Sequence, residues 1–400
     1  MSRLQSIATH LPIWGDEKTR VVGLDEDAVT LAVAAGRSAL AAAGDVPVTH
    51  VVFVTRDLPL LEGGSEGVLL AGLDLDASVR ATTVVGGAPA ALDAISGAAD
   101  GTLVIGVEVA PSAAAGAALV GGTTGSFVEA LTRSARSLPI KVRDTTGHSS
   151  DYEDPRLLRV RGVGTAVEAL ELQDKPLAVA GLNAKDAASY VQGPAAALPT
   201  LGAAAPFFGL AATVEQHAEG SLVAVEQATA TAVKVGSGTT TVTRFAPPAR
   251  PLPKRKLAAG GDIKISLAAY ERAFDGKLRL AAGKCTACGA LHLPLRYRCT
   301  ECGDETGQVL QALPREGTVY TVVTVRVPVP GLASPYDLVI AELGDTGVRL
   351  LAPVTDADAG TVPIDAEGTL VLRRIAVRAG IPDYGYAFLP AATTNEGAAR

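Results

Sequence analysis

Short β-branched runs alternate with alanine-rich segments along the first 245 residues. Residues 25–44 predict a helix, because Asp25 and Asp27 favour the positive end of a helix dipole and Gly44 suits its end. Residues 51–55 predict the first buried strand of a parallel sheet. The alternation continues: helices are predicted at 88–99 and 205–217, and strands at 102–107, 177–180 and 222–227. This order indicates α/β layering.

The pattern changes after residue 245. Residues 246–256, with four prolines and four basic residues, have no apolar period and predict a linker. Residues 263–274 predict a helix, and from Gly317 onward several short apolar runs are separated by glycine-containing turns. Such runs are typical of a small barrel or sandwich, and a five-stranded OB-fold barrel is the preferred architecture.

These changes predict four regions. They are an α/β domain at 1–245, a Pro/basic linker at 246–260, a helix with a cysteine-rich segment at 261–312, and an all-β OB-fold barrel at 313–400.

Composition narrows the class of protein. Apolar residues make up 48% of the 400-residue chain, enough to fill more than one core, whereas aromatic residues make up 4%. The low aromatic content and a net charge of −7 argue against a general nucleic-acid binder. No run of about 18 apolar residues and no signal-peptide pattern occurs, which predicts a cytoplasmic protein without a membrane span.

All four cysteines of the chain stand in two CxxC pairs, Cys285 with Cys288 and Cys299 with Cys302. Two such pairs ten residues apart predict a zinc ribbon, because each tight turn directs two thiolates at one tetrahedral ion. The glycine after each pair suits a backbone with positive φ. Four thiolates leave no open coordination position, so the predicted zinc is structural. His292, between the pairs, is expected on the ribbon surface.

The C-terminal segments carry a family resemblance. The segments that carry the resemblance are KCTACGALHLPLRYRCTECG, REGTVYTVVTVRVPVPGLASPYDLVIAEL, GVRLLAPV and YGYAFLPA. Residues 263–392 resemble the zinc-ribbon/OB-fold acyl-CoA-associated family. Members of that family are partners of thiolase-like enzymes, including archaeal 3-hydroxy-3-methylglutaryl-CoA (HMG-CoA) synthase assemblies and bacterial steroid side-chain aldolases. The resemblance implies a subunit that completes an acyl-CoA site. Tyr336 matches the family's Pro-Tyr word, and its ring is expected either at the barrel mouth or in the core.

The first 245 residues resemble a truncated, degenerate thiolase-superfamily domain of the HMG-CoA synthase and ketoacyl synthase III branch. Three segments carry this resemblance and occur in the same order as in the family. They are DEDAVTLAVAAGRSALAAAG, GAALVGG and LGAAAPFFGLAATVEQHAEGSLVAVEQATATAVKVGSG. The family's nucleophile is a cysteine at the start of a buried helix, and Val84 or Val85 is expected to stand in its place. The histidines do not follow the family's catalytic pattern either.

Other residues offer weaker candidates for chemistry. In DTTGHSSDYED, an acid/base cluster forms if the loop faces a cleft, and a solvated loop if it does not; its members are Asp144, His148, Asp151, Tyr152 and Glu153. Tyrosine is also the residue that cysteine-less thiolase-like aldolases are thought to use.

The basic linker residues also admit two interpretations. They either bind the phosphates of coenzyme A, together with Tyr336, or are simply solvated. The four basic residues are Arg250, Lys254, Arg255 and Lys256.

Three functions follow from these patterns. The first is a non-catalytic subunit that docks onto a thiolase-superfamily partner in a hetero-oligomer and shapes the partner's acyl-CoA site. The second is a cysteine-less acyl-CoA aldolase or lyase, in which the coenzyme A thioester is the chain's own substrate. The third, a nucleic-acid module, is disfavoured by the acidic charge and the scarcity of aromatic residues.

Overall fold

The computed structural model describes residues 1–143, 148–152, 154–193, 196–257, 264, 266–327 and 332–391. The chain divides into two compact units. The first comprises Met1–Val22, Leu31–Leu58 and Leu75–Pro251, and the second comprises Gly23–Thr30, Pro59–Asp74 and Leu252–Arg400. The second unit thus combines the C-terminal part of the chain with two short N-terminal segments.

Strands outnumber helices in the described residues. In chain order, the strands are β1 (Ser2–His10), β2 (Trp14–Gly15), β3 (Arg20–Val21), β4 (His50–Thr55), β5 (Arg80–Val85), β6 (Thr102–Glu108), β7 (Ala114–Val120), β8 (Ser126–Ala135), β9 (Lys141–Arg143), β10 (Ser149–Asp151), β11 (Ala178–Ala180), β12 (Gly220–Glu226), β13 (Thr229–Gly236), β14 (Thr241–Phe245), β15 (Lys256–Leu257), β16 (Ala281–Cys285), β17 (Leu291–His292), β18 (Gln308–Ala312), β19 (Glu316–Val325), β20 (Ala333–Ser334), β21 (Tyr336–Leu343), β22 (Arg349–Pro353), β23 (Glu367–Arg378) and β24 (Ile381–Pro390).

The helices are fewer, and several are short. They are α1 (Ala28–Ala43), α2 (Ser65–Gly72), α3 (Ala88–Ser96), α4 (Pro155–Leu157), a π-helical segment (Leu158–Gly164), α5 (Thr165–Glu168), α6 (Ala184–Ala187), α7 (Ala205–Glu215) and α8 (Leu267–Leu278). The helix predicted at 263–274 therefore begins later than expected, and Ile263 lies outside the described residues. None of the helices in the described part of the chain has the length and apolar character that a membrane crossing requires.

The first unit is built on a ten-stranded sheet with an internal repeat. Its order is β11-β12-β13-β8-β1-β7-β6-β4-β5, and β14 pairs with β1. Strands β1 and β8 pair antiparallel at the centre of the sheet and start its two halves. In each half, the central strand is followed by two antiparallel strands, and the second of these pairs with a parallel strand. The first half is β1-β7-β6-β4 and the second is β8-β13-β12-β11, so β5 has no counterpart.

Two equivalent helices form the core of this unit. Helix α3 precedes β6 in the first half, and α7 precedes β12 in the second. Both contribute buried side chains to one apolar cluster with strands of both halves. Gly116 allows this packing, because a Cβ there would lie 2.3 Å from the Phe207 side chain of α7. The predicted α/β layering is confirmed, with α3 and α7 as its central layer.

The second unit contains a three-stranded ribbon sheet, β17-β16-β18, and a five-stranded antiparallel sheet, β22-β21-β19-β23-β24. A parallel bridge between Val354 and Phe388 joins the end of β22 to β24, and so links the outer strands of the five-stranded sheet. This linkage gives a five-stranded closed sheet, as the OB-fold prediction requires.

A buried ion cluster ties the segment Gly23–Thr30 to this barrel. Arg373, on β23, is 4% exposed and lies 2.8 Å from the Asp356 carboxylate and 3.4 Å from that of Glu26. The hydroxyl of Tyr384 donates to Asp27 at 2.7 Å. Burial raises the pKa of Glu26 to about 7, against the opposing effect of Arg373.

Candidate functional site

The four cysteines lie together at one end of the ribbon sheet. The Sγ atoms of Cys285 and Cys302 are 3.7 Å apart, those of Cys288 and Cys299 are 3.5 Å apart, and all four lie within 4.8 Å of one another. A tetrahedral Zn²⁺ with Zn–S bonds of about 2.3 Å places its sulfurs about 3.8 Å apart. The four thiols therefore fit a structural zinc ion, which would hold them as thiolates.

Two equivalent turns present the sulfurs. The amide of Gly289 donates to the Cys285 carbonyl at 2.9 Å, and that of Gly303 donates to the Cys299 carbonyl at 3.0 Å. Both glycines have φ of +78°, a conformation that L side chains rarely adopt. The expectation that each knuckle requires a glycine with positive φ is confirmed.

The prediction for His292 is wrong. This side chain is 7% exposed, and its Nε2 atom lies 3.3 Å from the Cys299 sulfur. His292 lies on β17 of the ribbon sheet, where its backbone pairs with Gly283 of β16 and its ring is enclosed. The amide of Cys302 and then the His292 ring lower the pKa of the Cys299 thiol to about 5. His292 thus supports the metal centre without being needed as a ligand.

A cavity of about 590 Å³ lies in the first unit, where α3 and α7 begin. It combines an apolar wall with several charged side chains. Its lining residues are Arg56, Glu108, Pro111, Ile140, Lys141, Asp151, Tyr152, Asp154, Pro155, Leu158, Val163, Gly181, Leu182, Leu201, Gly202, Val225, Glu226 and Gln227. A volume of this size is typical of small-molecule sites.

Glu108 is the buried acid of this cavity. It ends β6, is 8% exposed, and accepts a hydrogen bond at 3.2 Å from the amide of Ala203, just before α7. A Cβ on Gly202 would lie 1.2 Å from its Oε2 atom, so only glycine leaves room for the carboxyl group. Burial, followed by the nearby Asp57 carboxylate, raises the pKa of Glu108 to about 7.

An ion pair occupies the equivalent place at the start of α3. Arg56 pairs with Glu226, and both side chains are about three-quarters buried. A Cβ on Gly87, the N-cap residue of α3, would lie 2.1 Å from the Arg56 guanidinium and 2.6 Å from the Glu226 carboxylate. The space in front of this helix is therefore filled by the pair, and a larger side chain at Gly87 would displace it.

The expectation that Val84 or Val85 stands at the helix start is also wrong. Both valines end strand β5, Val85 is 69% exposed, and α3 begins at Ala88 after two glycines. Gly86 and Gly87 separate the end of β5 from the helix, so neither valine reaches the helix N-terminus. Glycine and alanine at the true helix start are equally unable to carry an acyl group.

The candidate residues of the acidic loop lie in different surroundings. Asp151 and Tyr152 both line the cavity, and Tyr152 is 66% exposed at its edge. The Asp151 carboxylate lies 4.0 Å from the Lys141 ammonium. His148 is exposed and is not among the lining residues, while Asp144 and Glu153 lie outside the described residues. Sequence reasoning missed Glu108, Glu226 and Arg56.

Lys256 of the linker pairs with Ser334 of β20, two residues before Tyr336, whereas Arg250 belongs to the first unit. Arg250 is held by the first unit, since its amide donates to the Ile13 carbonyl at 2.8 Å and its guanidinium lies 5.5 Å from the Trp14 ring centroid. Lys254 and Lys256 are exposed, Arg255 is half-buried, and Tyr336 is half-buried at the start of β21. Their contact with coenzyme A remains a prediction.

Comparison with known proteins covers both parts of the chain. A variant of OleA from Xanthomonas campestris is similar at 13% identity with a TM-score of 0.49, over 59% of this chain and 98% of that chain. A 3-oxoacyl-(acyl-carrier-protein) synthase III is similar at 15% identity with a TM-score of 0.45, over 59% and 99%. These values carry no information on function. No curated protein matches the chain.

Two family models match the C-terminal part. The rubredoxin-like zinc ribbon domain of ChsH2 matches residues 276–306, and the C-terminal OB-fold domain of ChsH2 matches residues 310–373. The matched ribbon contains all four cysteines, and the matched barrel segment contains β19, β21 and β22. The second unit of this chain therefore carries a ChsH2-type zinc ribbon followed by a ChsH2-type OB-fold domain.

Proposed function

We propose that the chain is a non-catalytic scaffold subunit of an acyl-CoA-processing complex, which docks onto a thiolase-fold partner and shapes its acyl-CoA site. The ChsH2-type ribbon and barrel support association with a thiolase-like acyl-CoA enzyme. The observation that carries the scaffold role is the position of the cysteines. All four belong to the metal centre, and glycine and alanine stand at the start of α3.

Strand β5 supplies a surface for such docking. It forms one edge of the ten-stranded sheet and has no counterpart in the second half. Edge strands present backbone groups that pair with a strand of another chain. Val85, at its end, is 69% exposed. We propose that the partner pairs with this edge.

The test is co-purification of the tagged full chain from its native cells, followed by mass spectrometry of the bound proteins. We expect a thiolase-superfamily protein with an intact cysteine. Val85→Lys should reduce its recovery about tenfold, because a charge at the edge opposes pairing. The matched control, Val377→Lys on β23, changes a valine that is 57% exposed and should leave recovery unchanged. Recovery of no thiolase-superfamily protein would contradict the proposal.

A second function, a cysteine-less acyl-CoA aldolase or lyase, is favoured by the cavity. It brings Tyr152 and Asp151 to the same space as the buried Glu108. Tyr152 would act as the base that removes a hydroxyl proton. In the complex with its partner, Tyr152→Phe would then lower the cleavage rate at least a hundredfold, whereas an unchanged rate removes Tyr152 as a base.

A further inference from the structure

Glu108 and Glu226 are equivalent residues of the internal repeat. Each ends the strand that follows a central helix, β6 after α3 and β12 after α7. Each carboxylate also lies at the N-terminus of the central helix of the other half. Glu108 accepts from Ala203 before α7, and Glu226 lies beside Gly87 before α3. Each half of the repeat therefore places an acidic side chain at the start of the other half's central helix.

The two acids have different neighbours. The register of β4 with β6, in which Val54 lies level with Gly106, places Arg56 level with Glu108. The register of β11 with β12, in which Ala180 lies level with Ala224, places Leu182 level with Glu226. Leu182 is thus the counterpart of Arg56. Arg56 crosses to pair with Glu226, whereas the leucine cannot provide a charge for Glu108.

Glu108 consequently forms no ion pair among the described residues, and the more distant Arg56 and Lys141 only partly offset the effect of burial on its pKa. Its hydrogen bond comes from a backbone amide. The other charges of the cavity have partners of their own. Lys141 lies near Asp151, and the Asp154 carboxylate accepts from the Leu157 amide at 2.9 Å.

The cavity walls define the rest of the ligand. Beside Glu108 lie apolar side chains, among them Leu182, Leu201 and Val225. Carboxylates outnumber basic groups around the space, so an anionic head group would be repelled. Folding has already removed most of the water from Glu108, so a cation that binds there need only lose its own hydration.

We propose that this cavity binds an apolar ligand with an ammonium group. The ammonium group pairs with Glu108 as the Arg56 guanidinium pairs with Glu226. The ligand class is an aliphatic amine in its protonated form, with the alkyl chain against the leucine wall. This site adds a binding function to the scaffold role and does not depend on it, because the residues that form it all belong to the first unit.

The test compares three probes that differ only in the head group, namely hexylammonium, 1-hexanol and hexanoate. Their affinities for the full chain are measured by ligand-observed NMR at pH 8, where Glu108, with a pKa of about 7, is mostly ionised. We expect hexylammonium to bind about tenfold more tightly than 1-hexanol, and hexanoate to bind most weakly. Equal affinities for the amine and the alcohol would overturn the proposal, as would failure of hexylammonium to bind.

Two variants locate the site. Glu108→Gln keeps the shape of the side chain and should weaken hexylammonium about tenfold while leaving 1-hexanol within twofold. Leu201→Trp changes a residue that is 42% exposed and should weaken both probes by filling the cavity. Glu129→Gln, at an exposed acid of β8, is the matched control. Unchanged hexylammonium affinity in Glu108→Gln would refute the assignment, whether or not a partner co-purifies.

Discussion

At the residue scale, the titration of Glu108 is coupled to folding. Its pKa rises from the ordinary value of 4.5 to about 7 in the folded chain, mainly because the charged form is buried. The folded state therefore binds this proton more tightly than the unfolded state. The contribution of Glu108 to stability is fully present below pH 4.5 and is lost as the pH rises through 7.

We therefore expect Glu108→Gln to be more stable than the native chain at pH 8, by up to about 3 kcal/mol, and equally stable near pH 4. Glutamine cannot ionise, and it retains an oxygen to accept from the Ala203 amide. Urea unfolding of the two proteins at both pH values checks this. A difference that does not grow between pH 4 and pH 8 would contradict the burial of a charged carboxyl group.

The glycines of the two knuckles allow an equally local test. A Cβ on Gly289 meets nothing within 4 Å, so Gly289→Ala tests only the positive φ. We expect it to weaken zinc binding about fivefold, for a backbone cost of about 1 kcal/mol. Gly380→Ala is a matched control, because its φ is +79° and its surroundings are equally open. Zinc affinity is measured by competition with a chelator, and equal losses in both variants would argue against the knuckle geometry.

The sequence revealed residues whose chemistry depends on spacing. The two CxxC pairs specify a metal site without any knowledge of the fold. Glu108 and Glu226 escaped notice because each is a single acid at the end of an apolar run, and their facing helices are distant in sequence. A signal was present nonetheless, since VIGVE at 104–108 and LVAVE at 222–226 are similar words. Only the folded structure shows that Arg56 pairs with Glu226 and not with Glu108, the acid that lies level with it.

At the element scale, β23 depends on the ion cluster around Arg373. Removing this guanidinium would leave the carboxylates of Glu26 and Asp356 buried without their cation. Arg373→Leu should therefore destabilise the second unit by about 3 to 5 kcal/mol. Arg378→Leu, on the same strand but 40% exposed, should have an effect below about 1 kcal/mol. Thermal unfolding followed by calorimetry checks both, and similar losses would contradict a buried pair.

Apolar periodicity predicted the central helices of the first unit to within a few residues. They were expected at 88–99 and 205–217 and occur at Ala88–Ser96 and Ala205–Glu215. Strands β1 and β8 were missed because polar residues interrupt them. Helix α2 was also missed, since its eight residues follow two glycines and give little periodic signal.

At the scale of the whole molecule, the cysteine inventory and the cavity lead to one account. The metal centre uses all four thiols, and the central helices begin without a nucleophile. What remains in the first unit is a cavity with a buried acid, and the second unit carries the ChsH2-type domains. The assignment of Gly23–Thr30 and Pro59–Asp74 to the second unit was not predictable, because these segments interrupt a continuous α/β pattern.

The most direct test of the scaffold role is acyl-CoA turnover by the purified full chain, measured alone and with the co-purified partner. We expect no turnover above background for the chain alone, and turnover at an ordinary enzyme rate, about 1 to 1,000 per second, for the complex. Mutation of the partner's cysteine should abolish the activity of the complex. Turnover of acyl-CoA thioesters at such a rate by the chain alone would contradict the account.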